Sequence, residues 1–314
     1  MSRVPALLSA ISLWLSVFPA AAAPVTVYST GFEAPDYDPA FTLVGQNGWI
    51  GSDDSSLCNG VFSNAFPGLG QHAYIGLFPA DSGLTSYGLW QPLPETSTNN
   101  ILRFSVQMSI VDSENDFYDF FRWSVYNTTP KRLFSLDFDN RSLTIDYLLE
   151  NSSTFIPTGR QFANDTQYTF TITMDLGRNR WSATLNNLLL ATNQPITTAN
   201  SSLSIGDFDA VWLYGEPDSP GDNYMVFDNY TVTAESLAAV APQLSALGRL
   251  NNQFLLRLNG EANRNYAIEA KTNLNSSTWL ALRTNNTSTA GSFDFLDTTS
   301  SGLPRRFYRG RLVP

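Results

Sequence analysis

Cysteine and histidine are almost missing from this sequence, in which Cys58 and His72 are the only residues of either kind. A single cysteine excludes an internal disulfide bond. A single histidine excludes a Ser-His-Asp triad unless His72 is its base, and no G-x-S-x-G sequence accompanies it. The spacings of zinc proteases and zinc fingers are absent as well. Stability therefore has to come from burial of apolar side chains, and we expect Cys58 and His72 to be structural residues.

Long apolar runs are missing beyond residue 22, where no segment approaches the roughly 20 apolar residues of a transmembrane helix. The opening of the chain combines Arg3 with a short apolar stretch, 6–18, followed by a run of alanines. This pattern is typical of a secretory signal peptide, which we predict at 1–22 with cleavage after Ala22. We accordingly expect a secreted protein, extracellular, periplasmic or at the cell surface, without a transmembrane anchor. The lack of disulfide bonds favours a bacterial source.

Positive charge is scarce, and the net charge is −10. From residue 236 onward, nine Lys and Arg residues stand against four Asp and Glu residues, whereas 23–235 contains eight basic and 24 acidic residues. The acidic part would repel phosphate groups, so we exclude nucleic acid as a ligand. The basic tail indicates a separate module and predicts contact with anionic components of the cell envelope.

Apolar and polar residues alternate along several segments, which is the pattern of β-strands with one buried face. The segments are ILRFSVQMSIV (101–111), SLTIDYLLE (142–150), YTFTITMDL (168–176) and WSATLNNLLLA (181–191). The turn sequence LGRNRW joins the last two segments as a hairpin. Many short strands without a helical stripe predict an all-β sandwich or barrel.

The chain changes character near residue 235, where an Ala-rich segment containing Pro242 precedes the basic tail. We predict a first domain at 24–234, a linker at 235–245 and a second module at 246–314. Five strand-like segments divided by Asn, Gly, Ser and Pro turns predict that this second module is a small immunoglobulin- or fibronectin-like β-sandwich.

Asp228 interrupts the strand-like sequence GDNYMVFDNYTV, although Asp is a poor strand former and a buried carboxylate is costly without a partner. Glu33 similarly interrupts TGFEAPDYD near the start of the first domain. One explanation for Asp228 is an edge or turn residue whose carboxylate accepts backbone N–H groups. The other is a Ca²⁺ ligand, since calcium is bound by carboxylate and carbonyl oxygens. The first and last strands of a closed sandwich often lie side by side, so we predict that Glu33 and Asp228 are neighbours.

TGFE near the start, GQNGW after a short loop and FDNYTV at the end of the first domain resemble the opening and closing strands of concanavalin A-like (laminin G-like) jelly-roll domains. That resemblance implies a jelly-roll β-sandwich. The F-E and D-N pairs are similar to those of smaller carbohydrate-binding jelly rolls, which implies Glu33 and Asp228 as ligands of a structural Ca²⁺. The tail, with NYAIEAKTNL and RRFYR, is similar to a module of secreted verrucomicrobial and planctomycete proteins. The catalytic acids of the related glucanases have no counterpart here.

Aromatic residues beside acidic ones are candidates for sugar binding, because a ring stacks on a pyranose while polar groups bind its hydroxyls. Our candidate ligand-binding residues are Trp49, Tyr118, Trp212 and Tyr214. We therefore predict a non-catalytic secreted module that binds a glycan or a related extracellular polymer, with structural Ca²⁺. One alternative is a surface-anchoring or protein-interaction protein without a sugar site. The other is a polysaccharide hydrolase or lyase that uses Asp137 and Asp139, which share one face of a strand.

Overall fold

The computed structural model describes residues 23–54, 56–64, 66–78, 85–94, 101–216, 219–235, 241–262, 264–288, 290–303 and 305–313, so that the predicted signal peptide, 1–22, lies outside the described residues. The chain divides into two compact units after residue 237. Both units consist of β-strands and short turns, which confirms the all-β prediction. Among the described residues, no helix is long and apolar enough to cross a bilayer.

The first unit is built from strands of two to twelve residues, and one 3-10 turn, Leu176–Arg178, lies in the predicted hairpin turn. Its described strands are β1 (Val25–Thr30), β2 (Ile50–Gly51), β3 (Asn59–Ser63), β4 (Gln71–Gly76), β5 (Ser86–Trp90), β6 (Ile101–Val111), β7 (Phe120–Asn127), β8 (Arg132–Asp139), β9 (Thr144–Leu149), β10 (Ile156–Gln161), β11 (Tyr168–Asp175), β12 (Arg180–Leu185), β13 (Leu188–Pro195), β14 (Ile205–Leu213) and β15 (Tyr224–Glu235).

These strands form two antiparallel sheets that enclose one core, as in a jelly-roll sandwich. The eight-stranded sheet has the order β13-β12-β11-β6-β15-β4-β3, with β1 paired to β15, and the seven-stranded sheet has the order β10-β9-β8-β7-β14-β5-β2. Alternate residues of the central strands turn inward, and many of the buried side chains are aromatic. Phe104 of β6 and Phe208 of β14 stack across the two sheets with their ring centroids 4.6 Å apart. Burial of such rings supplies the stability that a disulfide-free chain requires.

The first and last strands of this unit are neighbours, as predicted from the sequence. β1 pairs with β15 in antiparallel register, from Val25 opposite Ala234 to Thr30 opposite Tyr230. The segment that follows β1 therefore lies beside the middle of β15.

β15 changes its partner along its length, pairing with β4 up to Phe227 and with β1 from Tyr230 onward. Asp228 and Asn229 lie between these two pairings, in a β-bulge. Asn229 has a φ of 50°, a conformation that Asn adopts more readily than most residues. The bulge shifts the alternation by one residue, so that Phe227 and Tyr230 both reach the core. Asp and Asn thus occupy the place where the ladder is broken, which explains why polar residues interrupt this strand.

The second unit is a small β-sandwich with its own core. Its described strands are β16 (Gln243–Leu250), β17 (Gln253–Asn259), β18 (Asn265–Lys271), β19 (Leu280–Asn286), β20 (Ser292–Asp297) and β21 (Phe307–Leu312). They form two three-stranded sheets, β16-β17-β20 and β19-β18-β21, around Leu258, Tyr266 and Ile268.

The structure adds one strand to the five predicted for this unit. β16 begins at Gln243, inside the predicted linker 235–245, and residues 236–240 of that linker lie outside the described residues. β16 was missed because nearly all of its side chains are exposed, so that it lacks the alternation of a half-buried strand.

Candidate functional site

Glu33 and Asp228, the predicted calcium ligands, lie close together where the chain leaves β1 and passes the bulge of β15. Both side chains flank Gly31. The position that a Cβ atom of this glycine would occupy is 3.6 Å from Asp228 Oδ1 and 4.0 Å from Glu33 Cγ. Asp228 is 1% exposed, and its Oδ1 accepts a hydrogen bond from the backbone N–H of Asn229 at 2.6 Å. Glu33 Oε1 accepts one from the backbone N–H of Gln71 at 3.3 Å. Both carboxylates therefore accept hydrogen bonds from backbone N–H groups. For Asp228 this agrees with the interpretation as a turn residue that binds the backbone.

His72 packs beside Asp228 as a neutral ring. Its Nε2 accepts a hydrogen bond from the backbone N–H of Phe66 at 2.8 Å, so this nitrogen carries no proton. The proton of the neutral imidazole is then on Nδ1, which lies 3.6 Å from Asp228 Oδ2. Burial lowers the pKa of His72 and so favours the neutral form.

The carboxylates of Glu33 and Asp228 could supply part of the coordination of a Ca²⁺ ion. Two carboxylates are the oxygen ligands that Ca²⁺ prefers. Within the described residues, however, no group of three or more His, Cys, Asp and Glu side chains is arranged to hold a metal ion. Backbone carbonyls, amide oxygens or water would have to complete the coordination of an ion at this place.

Three of the four predicted sugar-binding residues lie in the core, which corrects the sequence-based interpretation. Trp49 is 1% exposed, and its ring packs 5.3 Å from that of Tyr230. Trp212 is fully buried, and Tyr214 packs against it with ring centroids 4.4 Å apart. The indole Nε1 of Trp212 donates a hydrogen bond to Asp119 Oδ2 at 2.8 Å, so this pair of an aromatic and an acidic residue is internal structure. A ring that stacks on a sugar needs an open face, and these rings have none.

Tyr118 is the one predicted binding residue whose ring is only half-buried. It borders a small cleft of about 90 Å³ together with Phe117. The next residue, Asp119, is 1% exposed and accepts hydrogen bonds from the backbone N–H groups of Gly215 and Gly221 at 2.8 and 2.9 Å. These bonds tie the segment of Tyr118 to the loop between β14 and β15.

The outer face of the seven-stranded sheet carries a dense patch of charged and hydroxyl side chains, which we term the polar sheet face. It forms where β5, β14, β7, β8 and β9 lie side by side and alternate residues turn away from the core. Asp209 lies opposite Ser124, Ser124 lies opposite Ser135, and Arg122 lies opposite Asp137. Its members are Trp90, Arg122, Ser124, Tyr126, Arg132, Ser135, Asp137, Asp146, Asp207 and Asp209.

Four oxygen atoms of the polar sheet face are shielded from water and have no hydrogen-bond partner within the protein. They are Ser124 Oγ, Asp137 Oδ2, Asp207 Oδ1 and Asp209 Oδ1. Most buried polar atoms in folded proteins are hydrogen-bonded, and each unpaired one costs about 1–3 kcal/mol. Carboxylates accept hydrogen bonds, and a serine hydroxyl donates and accepts them. The partner that these oxygen atoms lack is therefore a group that donates hydrogen bonds.

The carboxyl groups of Asp207 and Asp209, two residues apart on β14, contact each other. Burial raises the pKa of Asp209 well above its usual value, and the charge of Asp207 raises it further. Burial also raises the pKa of Asp207, while the hydrogen bond with Asp209 lowers it. Because two adjacent buried charges are unfavourable, ionisation of Asp207 opposes ionisation of Asp209.

Asp137 and Asp139, the residues considered for a hydrolase, are both engaged by neighbours. Burial raises the pKa of Asp137, although Arg122 lowers it by donating to Asp137 Oδ1 from Nε at 2.8 Å and from Nη2 at 2.7 Å. Asp139 accepts hydrogen bonds from the backbone N–H of Arg141 at 2.8 Å and from the hydroxyl of Ser142 at 2.7 Å. Asp139 therefore stabilises the turn between β8 and β9.

Sequence analysis missed Trp90 and the two aspartates of β14. Trp90 is half-buried, and its ring lies 3.8 Å from the Cβ position of Gly88 on the same strand. A signal for the aspartates was present in the sequence GDFDAVWL, where Asp207 and Asp209 flank Phe208. Since Phe208 is in the core, both aspartates have to turn to the outer face.

The basic second unit neutralises part of its own charge. Glu269 forms ion pairs with Arg309 at 2.7 Å and with Arg311 at 3.0 Å. Arg306 forms one with Asp297 at 2.9 Å. These pairs reduce the positive charge available to an anionic surface, and the contact of this unit with the cell envelope stays a prediction.

No protein-family model and no curated protein sequence matches this chain. Solved structures with a similar fold include a sialidase, of 8% identity and TM-score 0.45 over 62% of this chain and 17% of the sialidase chain. A carbohydrate esterase from Shiga toxin-encoding bacteriophage phi24B has 12% identity and TM-score 0.47 over 68% of this chain and 100% of its own. The carbohydrate-binding module CBM66 from Bacillus subtilis has 11% identity and TM-score 0.36 over 60% of this chain and 96% of its own. Similarity at this level assigns the chain to no family and to no activity.

Proposed function

We propose that this protein is a non-catalytic glycan-binding module and that the polar sheet face is its binding site. The observation that carries the proposal is the group of four buried, unpartnered oxygen atoms on adjacent strands of this face. Glycan hydroxyls are donors and acceptors at once, so a bound sugar would supply hydrogen bonds to the carboxylates and to the serine hydroxyl together. A site of this kind remains costly to the folded protein until the ligand is bound.

Trp90 supplies the aromatic surface that such a site requires. The antiparallel register that pairs Leu89 with Ala210 places Trp90 beside Asp209. A ring next to convergent carboxylates is the arrangement expected of a sugar site. The sequence predicted this combination of an aromatic ring and acidic side chains, but at other residues.

Two features favour binding without hydrolysis. Glycoside hydrolysis uses two carboxyl groups about 5–9.5 Å apart on either side of the scissile bond, whereas Asp207 and Asp209 are in hydrogen-bond contact. The other acidic pair is engaged, since Asp137 is held by Arg122 and Asp139 stabilises a turn.

A structural Ca²⁺ at Glu33 and Asp228 and a secreted location complete this proposal. The two carboxylates lie at opposite ends of the first unit in sequence and next to each other in space. Bound there, Ca²⁺ would supply a positive charge that holds the segment after β1 against the bulge of β15. The secreted location rests on the sequence pattern of 1–22.

The test is a glycan array probed with the purified protein, followed by calorimetric titration with the glycan that binds best. Trp90→Ala should weaken binding at least about fivefold, because a stacked ring contributes roughly 1 kcal/mol or more beyond the hydrogen bonds. Trp90→Phe should retain most of the affinity. The matched control is Phe41→Ala, which removes a ring that is 66% exposed and remote in sequence from this face, and it should bind as the wild type does.

Two results would contradict the proposal. Array binding that is equally strong in Trp90→Ala and in the wild type would remove the polar sheet face as the site. Release of reducing sugar from a polysaccharide panel, lost in Asp137→Asn or Asp139→Asn, would replace binding by the hydrolase alternative.

A further inference from the structure

A second groove lies on the other sheet of the first unit. It occupies the outer face of the eight-stranded sheet, where β3, β15 and β6 contribute to its walls, and has a volume of about 460 Å³. Sites for small ligands typically measure about 300–1,000 Å³. Its lining includes Phe62, Ser109, Asp165, Gln167 and Tyr224. This groove shares no residue with the polar sheet face.

One side of the groove is aromatic. Phe62 of β3 and Tyr224 of β15 line this side, with their ring centroids 6.1 Å apart. Tyr74 of β4 does not line the groove, but its ring packs against that of Phe62 at a centroid distance of 5.1 Å. All three rings are half-buried. They turn away from the core because the residues next to them in sequence, such as Val61 and Ala73, fill it.

The other side of the groove is polar. It is formed by Ser109 of β6 and by Asp165 and Gln167 in the segment before β11. Gln167 Nε2 donates a hydrogen bond to Gln107 Oε1 at 2.6 Å, which holds its side chain at the edge of the groove. Burial raises the pKa of Tyr224, and the carboxylate of Asp165 raises it further, because this carboxylate lies near the phenol group.

We infer that this groove binds a neutral saccharide, independently of the polar sheet face. The rings offer surfaces for stacking, and the hydroxyl, amide and carboxylate groups opposite them can bind sugar hydroxyls. No Lys or Arg occurs among the described residues that line the groove, and Asp165 would repel the carboxylate or sulfate group of an acidic sugar. Sites on both outer faces of one sandwich would allow a single molecule to hold two polysaccharide chains.

The experiment is native gel electrophoresis of the full chain in gels that contain soluble β-glucan, xylan, galactomannan or polygalacturonate. At least one of the three neutral polymers should retard the wild type, and polygalacturonate should not do so through this groove. Phe62→Ala and Tyr224→Ala should weaken retardation by a neutral polymer at least about fivefold. Gln167→Arg, at an exposed position, should weaken it as well without threatening the fold. Phe41→Ala is again the matched control and should be retarded as the wild type is.

The outcomes separate this groove from the polar sheet face. Retardation that is lost in Gln167→Arg but retained in Trp90→Ala supports the groove. The groove is overturned as a binding site if Gln167→Arg and both ring variants are retarded as strongly as the wild type and have unchanged melting temperatures. Retardation lost only in Trp90→Ala also overturns it, and leaves the polar sheet face as the site. Failure of all three neutral polymers to retard the wild type overturns the groove as a neutral-sugar site, while an array signal with acidic glycans would still support the proposed function.

Discussion

Replacing Ser124 by alanine should stabilise the first unit and weaken its ligand binding at the same time. Ser124 is 1% exposed, and its hydroxyl has no hydrogen-bond partner within the protein. Removal of a buried unpaired hydroxyl recovers about 1–3 kcal/mol of desolvation cost. The space left by one oxygen atom costs a few tenths of a kcal/mol, at about 24 cal/mol per Å³. We therefore expect a net gain of about 1 kcal/mol in the free energy of unfolding.

Ser135→Ala is the matched control, because Ser135 lies directly opposite Ser124 on the neighbouring strand. Its hydroxyl is equally buried but accepts a hydrogen bond from Arg132 Nη1 at 3.3 Å. Loss of that bond should lower the free energy of unfolding by about 0.5–1.5 kcal/mol. The same small change thus has opposite effects on stability at two adjacent positions.

Urea unfolding measures the first effect, and calorimetric titration with an array-selected glycan measures the second. Stabilisation with weaker binding in Ser124→Ala would identify the hydroxyl as a ligand contact that the folded protein maintains at a cost. If Ser124→Ala is destabilised as strongly as Ser135→Ala, the hydroxyl already has a partner. The polar sheet face would then be excluded as a site defined by unpaired buried oxygen atoms.

Three further predictions concern the rest of the first unit. Burial raises the pKa of Glu150, but hydrogen bonds from Lys131 and other donors lower it from 4.5 to about 2, so Glu150 contributes stability above pH 4.5 that is lost as the pH falls towards 2. Glu150→Gln should therefore lower the free energy of unfolding by about 1–2 kcal/mol at pH 7, since solvent partly screens the charge of Lys131. Urea unfolding measures this loss, and a difference from the wild type that does not shrink at low pH would contradict the prediction. Trp212→Phe should lower the free energy of unfolding by about 1–3 kcal/mol, because Asp119 loses a buried hydrogen-bond donor. Its affinity for a glycan should stay unchanged, and a large loss of affinity would show that Trp212 contributes to the binding site after all. A chelator should lower the melting temperature of the wild type and leave that of Glu33→Gln unchanged. A wild-type melting temperature that does not change with the chelator would contradict the proposed Ca²⁺ site.

The strands were predictable because their signal is local. ILRFSVQMSIV and YTFTITMDL became β6 and β11, with Phe104 and Phe170 in the core, since a pleated strand with one buried face has to alternate. β16 carries no such signal, because most of its residues face solvent. The neighbouring positions of β1 and β15 were also predictable, from the general closure of sandwiches rather than from any residue pattern.

The composition of the site was not predictable in the same way, because it depends on strand order. Ser124 and Asp209 meet only because β7 and β14 pair, although 85 residues of sequence separate them. Acidic residues next to aromatic ones in sequence were a misleading sign of a sugar site, because strand pairing also decides which of them are buried together. Asp119 and Trp212 are 93 residues apart, and their hydrogen bond satisfies both groups inside the protein, so that neither is left for a ligand.

The pairing of β1 with β15 also bears on how the first unit can be rearranged. Val25 and Ala234 are direct partners, and partners in an antiparallel ladder have Cα atoms about 4.5–5.5 Å apart. A short peptide can therefore join the two ends, and a permuted chain opened at a surface turn keeps the same sandwich. For the same reason the whole unit can be grafted into a loop of a host protein without forcing the host backbone apart.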